Sequence, residues 1–354
     1  MTGAQPETVA VGMSGGVDSS VAAAILKSEG RRVMGITAIM THGPSRCCSD
    51  EDVLAAQRVA EQLGIPHATV DIHAEFQSEI VDYFVAEYSS GRTPSPCVKC
   101  NARIKFGVLA RKACELGAAT IATGHYARID QSAEDGRFRL LRGTDNAKDQ
   151  SYFLARLIQD QLAAALLPLG GMTKREVSNR AAELELVSRK SKESQELCFI
   201  AEGSHGNWID VRNLNAPGTG DIVDTSGKRL AEHKGIHHYT IGQRKGLGIA
   251  VGTPVHVTRI DPVGNLVVVG PREEAMKSNA RVAGVTWIGG TPPPMPLRAL
   301  TQIRYNHKPV LSSIGPADGD CSEVNFDEPQ FAVTPGQLAV FYDGDEVLGA
   351  GWIQ

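Results

Sequence analysis

Between Thr8 and about Gly124, β-branched apolar runs alternate with amphipathic stretches at helical spacing, and this alternation leaves few folds open to the chain. Parallel strands need crossovers of a dozen or more residues, usually helices, so the pattern predicts βαβ units and a parallel sheet with helices on its faces. Val9–Met13 reads as a strand, Asp18–Ser28 as a helix closing at Gly30, and Arg32–Ile39 as a second strand. Ser49 is placed to cap the next helix, with Asp52 three positions on, and Gly64 to stop it. His67–Ile72 then reads as a strand, Ala74–Tyr88 as a helix, Ala102–Leu116 as a helix closing at Gly117, and Ala119–Thr123 as a further strand. A hairpin is expected between Tyr126 and Thr144, a helix over Ser151–Leu166, and another to about Leu186, opened by the capping box of Thr173 and Glu176.

Near Gly203 the texture changes to short strands with Gly and Pro at turns and almost no helical periodicity, as in Asp221–Val223, Pro254–Ile260, Leu266–Val269 and Gln337–Tyr342. The Pro-rich stretch Thr291–Pro296 reads as a tight loop inside this region. A length of 354 residues exceeds the roughly 100–200 of one ordinary domain, so one or two small β domains are expected to follow the α/β one. The apolar runs Val21–Leu26 and Leu162–Leu169 fall short of the roughly 20 residues of a membrane span, and Met1–Thr8 lacks the regions of a signal peptide. A cytoplasmic chain with no membrane partner is expected. Thirty-six Lys and Arg against 40 Asp and Glu give a formal charge of −4, so any nucleic-acid site must be a local patch.

Ser14-Gly15-Gly16-Val17-Asp18-Ser19-Ser20 lies between a predicted strand and a predicted helix, where backbone N–H groups and the helix N-terminus converge on a place for an anion. The glycines permit a sharp turn and close backbone approach, the serines supply hydroxyls, and Asp18 suits Mg²⁺ held against pyrophosphate oxygens. The Gly-Lys-Ser/Thr ending of a Walker A loop is missing. An ordinary glycine turn entering a helix is the plain alternative. The run resembles the S-G-G-x-D-S signature of the PP-loop ATP pyrophosphatases, which split ATP into AMP and pyrophosphate while adenylating a carbonyl-type oxygen. GMP synthetase, NAD synthetase and argininosuccinate synthase share it, so it names an activation chemistry rather than a substrate.

Seven cysteines in a long chain make no disulfide framework, and in a reducing compartment paired cysteines read as catalytic or metal-binding thiols. Cys97-Val98-Lys99-Cys100 is expected on a loop just ahead of a helix, where the helix dipole and Lys99 would favour thiolates. A structural zinc site is the alternative. Cys198 lies at the end of the α/β region, within folding reach of the same face, and Cys47-Cys48 forms a third group. Cys114 and Cys321, each alone, read as buried packing.

With these segments the resemblance narrows to the tRNA-specific 2-thiouridylases, the MnmA/TrmU family, over essentially the whole chain. Gly12–Ser19 resembles the family's ATP loop and Thr93–Phe106 its first catalytic-cysteine segment. Ala122–Ala127, Asp145–Leu154, Cys198–Ile200, Tyr239–Gly248 and the pattern from Phe326 to Tyr342 are similar to further family blocks. The resemblance implies an N-terminal Rossmann-like PP-loop (HUP) domain over 1–204, a small central β-rich domain over 205–272 and a C-terminal β-barrel over 273–354. It also implies an ATP site of Gly12, Met13, Ser14, Gly15, Gly16, Val17, Asp18, Ser19, Ala38 and Gly124. The implied reaction adenylates O2 of the wobble uridine in tRNA of the Lys, Glu and Gln type. A persulfide on Cys198 then delivers sulfur, Cys100 releases it or attacks, and AMP leaves as 2-thiouridine forms; a Cys100–Cys198 disulfide resolves the thiols. A cysteine desulfurase or relay protein would supply the sulfur.

In much of the family the position of Cys97 is an aspartate. The thiol opens a second route, in which Cys97, Cys100 and Cys198 hold a [4Fe–4S] cluster whose free iron carries the sulfur.

Between Gly227 and Arg259 the chain carries Lys228, Arg229, Lys234, Arg244, Lys245 and Arg259 against Glu232 alone, the local basic patch that net charge conceals. A solvated surface is the alternative. The resemblance implies RNA contacts at Ser95, Pro96, Cys97, His125, Lys148, Asp149, Gln150, Arg244, Lys245, Arg304, Tyr305 and Gln337, with no DNA partner. Two further readings stay open at this point, a PP-loop ligase or amidotransferase acting on a small molecule, and a non-catalytic RNA-binding protein with structural zinc.

Overall fold

The computed structural model describes residues 7–42, 50–188, 197–213, 217–249 and 252–354. The first strands are β1 (Thr8–Gly12), β2 (Arg32–Ile39), β3 (His67–Asp71) and β4 (Thr120–Ala122), followed by the hairpin β5 (Ala127–Gln131) and β6 (Phe138–Arg142), and then β7 (Ala165–Leu166). A parallel sheet forms in the order β3-β2-β1-β4-β7. Val9, Ala10 and Val11 of its central strand are buried, as expected where helices cover both faces. The chain fills the sheet on one side of β1 and later crosses to the other, so β1 and β4 part at their carboxyl ends and leave a crevice there.

Three elements depart from the sequence expectations. The helix expected over Ser151–Leu166 divides into Ser151–Leu154 and Gln159–Ala163, and Ala165–Leu166 becomes the outer strand β7 against Ile121 and Ala122. Two residues are too short to show a strand period, so only tertiary pairing reveals this strand. The helix expected from Ala102 begins at Pro96 and runs without a break through Pro96–Lys99, the wider π-helical Cys100–Leu109 and Ala110–Glu115. Pro96 occupies the first helical position, where proline's missing N–H costs nothing. The helix His205–Arg212 was not expected at all, because only Gly206 and Ile209 of it are buried and no apolar stripe marks it. Ser204 caps it by accepting from the Asn207 N–H.

The second sheet contains β8 (Gly220–Asp224), β9 (Arg229–His233), β10 (His256–Asp261) and β11 (Leu266–Gly270), in the order β10-β11-β8-β9. Ile222, Val257, Val267 and Val269 form its small core with Ile236. The remaining strands are β12 (Met276–Trp287), β13 (Leu297–Gln302), β14 (Val310–Asp318), β15 (Cys321–Phe331), β16 (Leu338–Asp343) and β17 (Glu346–Ile353). They pair as β12-β15-β14-β13-β16-β17, and β17 returns to β12, closing a six-stranded antiparallel barrel. Thr291–Pro296 is a loop between β12 and β13, as expected.

The barrel is not a separate bead. Strand β6 pairs with β17 through Leu141↔Glu346 and Leu140↔Val347, so the early hairpin extends the barrel sheet. One apolar core accordingly runs from Ile36 and Ile104 through Leu140 to Val340 and Ala350.

Among the described residues, no helix is long and apolar enough to cross a membrane. Cys114, expected in a core, is exposed, because its neighbour Ala113 takes the inward position on the helix; Cys321 is half-buried. Ser49, Cys47 and Cys48 lie outside the described residues.

Leu140 is fully buried where the hairpin meets the barrel. Leu140→Ala should lower the unfolding free energy by about 2–5 kcal/mol, the range for deleting a buried leucine side chain. Urea denaturation checks this, and a loss below about 1 kcal/mol would mean that the hairpin is not integral to the core.

Candidate active site

The crevice between β1 and β4 deepens into a cavity of about 1090 Å³. Ser14, Gly16, Val17, Asp18 and Ser19 form one end, with Gly12 and Met13 leading into it. Gly15 turns the loop with φ +70°. Ser19 Oγ accepts from the Ser14 N–H at 3.2 Å and donates to Gly16 O at 3.1 Å, which braces the loop on the first turn of its helix. Gly124 stands at the end of β4, and a Cβ there would lie 2.8 Å from Asp18 C and 2.9 Å from Ser19 N. Only glycine lets the two strand ends approach this closely. Ala38 lines the β2 side of the cavity with Ile36 and Met40, an apolar wall of the kind a nucleobase packs against.

Asp18 is held by two groups that sequence reading missed. Lys174 Nζ donates to both carboxylate oxygens at 2.7 and 2.8 Å, and Tyr126 OH donates to Oδ1 at 2.8 Å. Lys174 follows the capping residue Thr173, a helix start that the sequence does reveal. Its reach across 156 residues to Asp18 is not visible there. An ammonium on a partly open carboxylate occupies the place a cation would take, so the donor set fits Mg²⁺ once Lys174 turns aside.

The opposite end carries the thiols. Ser95, Pro96 and Cys97 line the cavity, and Leu197 and Ile200 bring the Cys198 segment to it. Cys97, Cys100 and Cys198 form no disulfide, and each of the first two feels the charge of Cys198. Cys97 and Cys100 stand on the first turns of the helix, not on a loop before it, and these two are not poised as thiolates. Desolvation pushes Cys97 up to about 11, with Cys198 adding to the rise, and Cys100 up to about 12. Cys97 is exposed where it opens onto the cavity, so the rise reflects the protein mass around the cavity rather than a sealed position. Lys99 does not offset this burial, since its ammonium lies over the Tyr83 ring at 4.4 Å and pairs with Glu79 at 3.5 Å. Lys105 is the cation that pulls both thiols down. It follows Cys100 by five residues, and the i→i+5 spacing of the π-helical stretch carries it to the same wall. Among the described residues, the three thiols do not bring their sulfurs within 4.8 Å of one another, so no converged zinc triad stands there.

His125 reaches the same wall. Burial, with Lys105 adding to it, holds His125 well below the ordinary imidazole range, so the ring is neutral, and its Nδ1 is 2.7 Å from Thr123 Oγ1. Lys148, Gln150, Tyr305 and Gln337 line the cavity. The Tyr305 ring lies 4.4 Å from that of Phe153, a second residue the sequence did not single out, and the pair makes an aromatic wall. Gln337 donates to Thr93 O and Pro94 O, and Gln150 accepts from the Tyr126 N–H. Asp149, expected at the RNA, faces inward instead. It accepts from Arg142, the Gly143 N–H, and the N–H and hydroxyl of Ser151, holding the turn after β6.

The basic block divides. Arg229 is paired with Asp221 at 2.5 Å and Arg259 stands 3.9 Å from Asp261, whereas Arg244 and Lys245 are exposed and make no ion pair among the described residues. Arg244 and Arg272 both act on His256, Arg272 stacks on Phe331 at 4.1 Å, and Arg304 donates to Phe331 O at 2.9 Å. A positive group thus straddles the junction of second sheet and barrel. Arg272 was hidden in the sequence by its neighbours Glu273 and Glu274.

Three family models match the chain in succession: the tRNA methyl transferase HUP domain over residues 7–202, the tRNA methyl transferase PRC-barrel domain over 211–271, and the aminomethyltransferase beta-barrel domain over 277–353. A tRNA-specific 2-thiouridylase MnmA of Trichormus variabilis is 50% identical over 98% of both chains. The chain belongs to the MnmA family. Further MnmA relatives are 49% identical: that of a Nostoc species over 98% of both chains, and that of Geotalea uraniireducens over 98% of this chain and 94% of its own. In this MnmA-family chain the phosphate-type loop and Cys97 face one cavity.

Removing the Lys105 charge should raise the thiol pKa values further. In Lys105→Met, the rate of iodoacetamide alkylation at Cys97, followed by mass spectrometry across pH, should rise at higher pH than in the parent protein. An unshifted profile would show that Lys105 does not act on the thiols.

Proposed function

We propose that the protein activates the wobble uridine of tRNA with ATP and replaces its O2 with sulfur. One cavity lined both by the Asp18-bearing loop and by Cys97, with the Cys198 segment reaching it through Leu197 and Ile200, carries this reading, supported by the whole-length likeness to the MnmA relatives. A small-molecule ligase has no need of the thiols, and a non-catalytic binding protein has no need of the loop. The reading gives activation and sulfur transfer to residues 1–204, and the grip on tRNA to 205–272 and 273–354.

An amide-like oxygen leaves poorly, and adenylation corrects this. The uridine O2 attacks the α-phosphorus, the bond to the β-phosphate bridging oxygen breaks, and pyrophosphate departs along the loop, where Mg²⁺ held by Asp18 would neutralise charge. Lys174, released from Asp18, is within reach of the same oxygens. A terminal sulfur carried on Cys198 then attacks C2 and expels AMP. Cys100 attacks the Cys198 sulfur, leaving 2-thiouridine and a Cys100–Cys198 disulfide, which an external thiol reduces before a sulfur donor reloads Cys198. Burial keeps Cys100 protonated at rest, so it attacks only after a proton leaves; Lys105 favours that loss, and neutral His125 is an available acceptor. The Tyr305–Phe153 wall suits stacking of a uridine splayed from its loop, and Arg244 and Lys245 suit phosphates.

Cys97 favours a second route, because it is a third thiol close enough to Cys100 and Cys198 to act on or feel their charge. With Cys97, Cys100 and Cys198 as ligands, a [4Fe–4S] cluster would carry the sulfur. Anaerobic reconstitution separates the routes: about four iron and four labile sulfide per chain, lost in Cys97→Ala, would establish the cluster. Iron-free protein that thiolates tRNA would establish the persulfide.

Asp18→Asn should abolish tRNA-dependent AMP release while tRNA binding persists. Cys198→Ala and Cys100→Ala should each stop 2-thiouridine formation and spare AMP release; thiolation by either variant would overturn the assigned roles. Lys245→Ala should weaken tRNA binding and reduce the slope of log affinity against log salt by about 1, as measured by filter binding.

A further inference from the structure

We propose that Asp210, His237 and His238 form a site for one divalent transition metal of the zinc class, which fastens the helix after Cys198 to the second sheet. His237 and His238 lie on the single turn Ile236–His238, and Asp210 lies on the helix His205–Arg212 packed against it. One ligand atom from each lies within 4.8 Å of the other two. Asp210 Oδ1 is 2.6 Å from His237 Nε2, and Oδ2 is 3.1 Å from His238 Nε2. The two rings are 4.5 Å apart and tilted by 43°, so both Nε2 edges close on one carboxylate. Two imidazoles and a carboxylate suit zinc and its neighbours, whereas magnesium and calcium favour all-oxygen shells.

The surroundings are built for the rings. A Cβ at Gly206 would lie 2.2 Å from His238 Nδ1, and one at Gly235, whose φ is +139°, would lie 2.4 Å from His237 Cε1. Side chains at these two positions would displace both imidazoles. His237 is 1% exposed and its Nδ1 has no hydrogen-bond partner, so its burial leaves a polar atom unsatisfied for one bond to Asp210. A salt link would need only one imidazole; two on the oxygens of one carboxylate describe a coordination site. Asp210 is nearly half exposed, which leaves a side open for water as the remaining ligand.

The position gives the ion a role. Residues 197–204 run directly from Cys198 into this helix, and His205 in its first turn stacks on Tyr88 at 4.4 Å and lines the cavity. Locking the helix to the second sheet therefore fixes the anchor of the Cys198 segment. The proposal is independent of the sulfur-transfer reading.

The test uses the full chain with Cys47, Cys48, Cys97, Cys100, Cys114, Cys198 and Cys321 replaced by serine, so that thiols cannot take the metal. After chelator treatment, Co²⁺ is titrated in with visible absorption and calorimetry as readouts, and Zn²⁺ is used in competition. One Co²⁺ per chain is expected, displaced by Zn²⁺, with a rise in melting temperature. His238→Gln and Asp210→Asn should each weaken binding at least tenfold. Asp210→Asn keeps the side-chain shape, so it decides the matter if His238→Gln fails to fold. Absence of saturable one-to-one binding, or affinity unchanged in Asp210→Asn, would overturn the proposal.

Discussion

The backbone contact between Gly124 and the Asp18–Ser19 peptide is the constraint on which the site depends. It holds the end of β4 against the first turn of the helix after β1, and so brings two loops that are about a hundred residues apart to one point. His125 and Tyr126 follow Gly124 directly, so the same contact delivers a neutral imidazole to the thiol wall and a hydroxyl to Asp18. A side chain at position 124 would open this joint before it touched any reacting group.

The electrostatics of the cavity are graded along its length. At the loop end an ammonium and a phenol both donate to one carboxylate, an arrangement that a polyphosphate with its cation can exchange into without leaving a buried charge unpaired. At the thiol end desolvation dominates, and the resting sulfurs stay protonated despite Lys105. Neutral thiols resist adventitious oxidation and alkylation. Reactivity at this end thus needs a proton acceptor, and neutral His125 stands on the same wall.

Much of this was legible in the sequence, for physical reasons that differ by region. The strand periods, the glycine ends at Gly30 and Gly64, and the Thr173–Glu176 capping box are local signals, and the corresponding elements form where they point. The family resemblance also implied that the loop and the thiols share a site, and the loop and Cys97 line one cavity. What stayed hidden was tertiary. β7 is a strand only because β4 offers an edge, Lys174 is a site residue only because its helix packs beside Asp18, and Cys100 stays neutral only because the core closes around it. Dipole and charge reasoning from Lys99 alone pointed the other way. Asp149 has a structural role that its block did not reveal, since its carboxylate holds the turn it sits in.

Strand β17 pairs with β16, β12 and β6. It also follows all three in the chain, so during synthesis each of them waits with unpaired N–H and C=O groups until β17 emerges. Open strand edges are templates for pairing with other chains. The interval before β17 is made is therefore when this protein is most exposed to aggregation, and its arrival removes these edges in one step. A chain interrupted before Glu346 would keep them all and would present itself to chaperones and proteases, even with the crevice between β1 and β4 already formed.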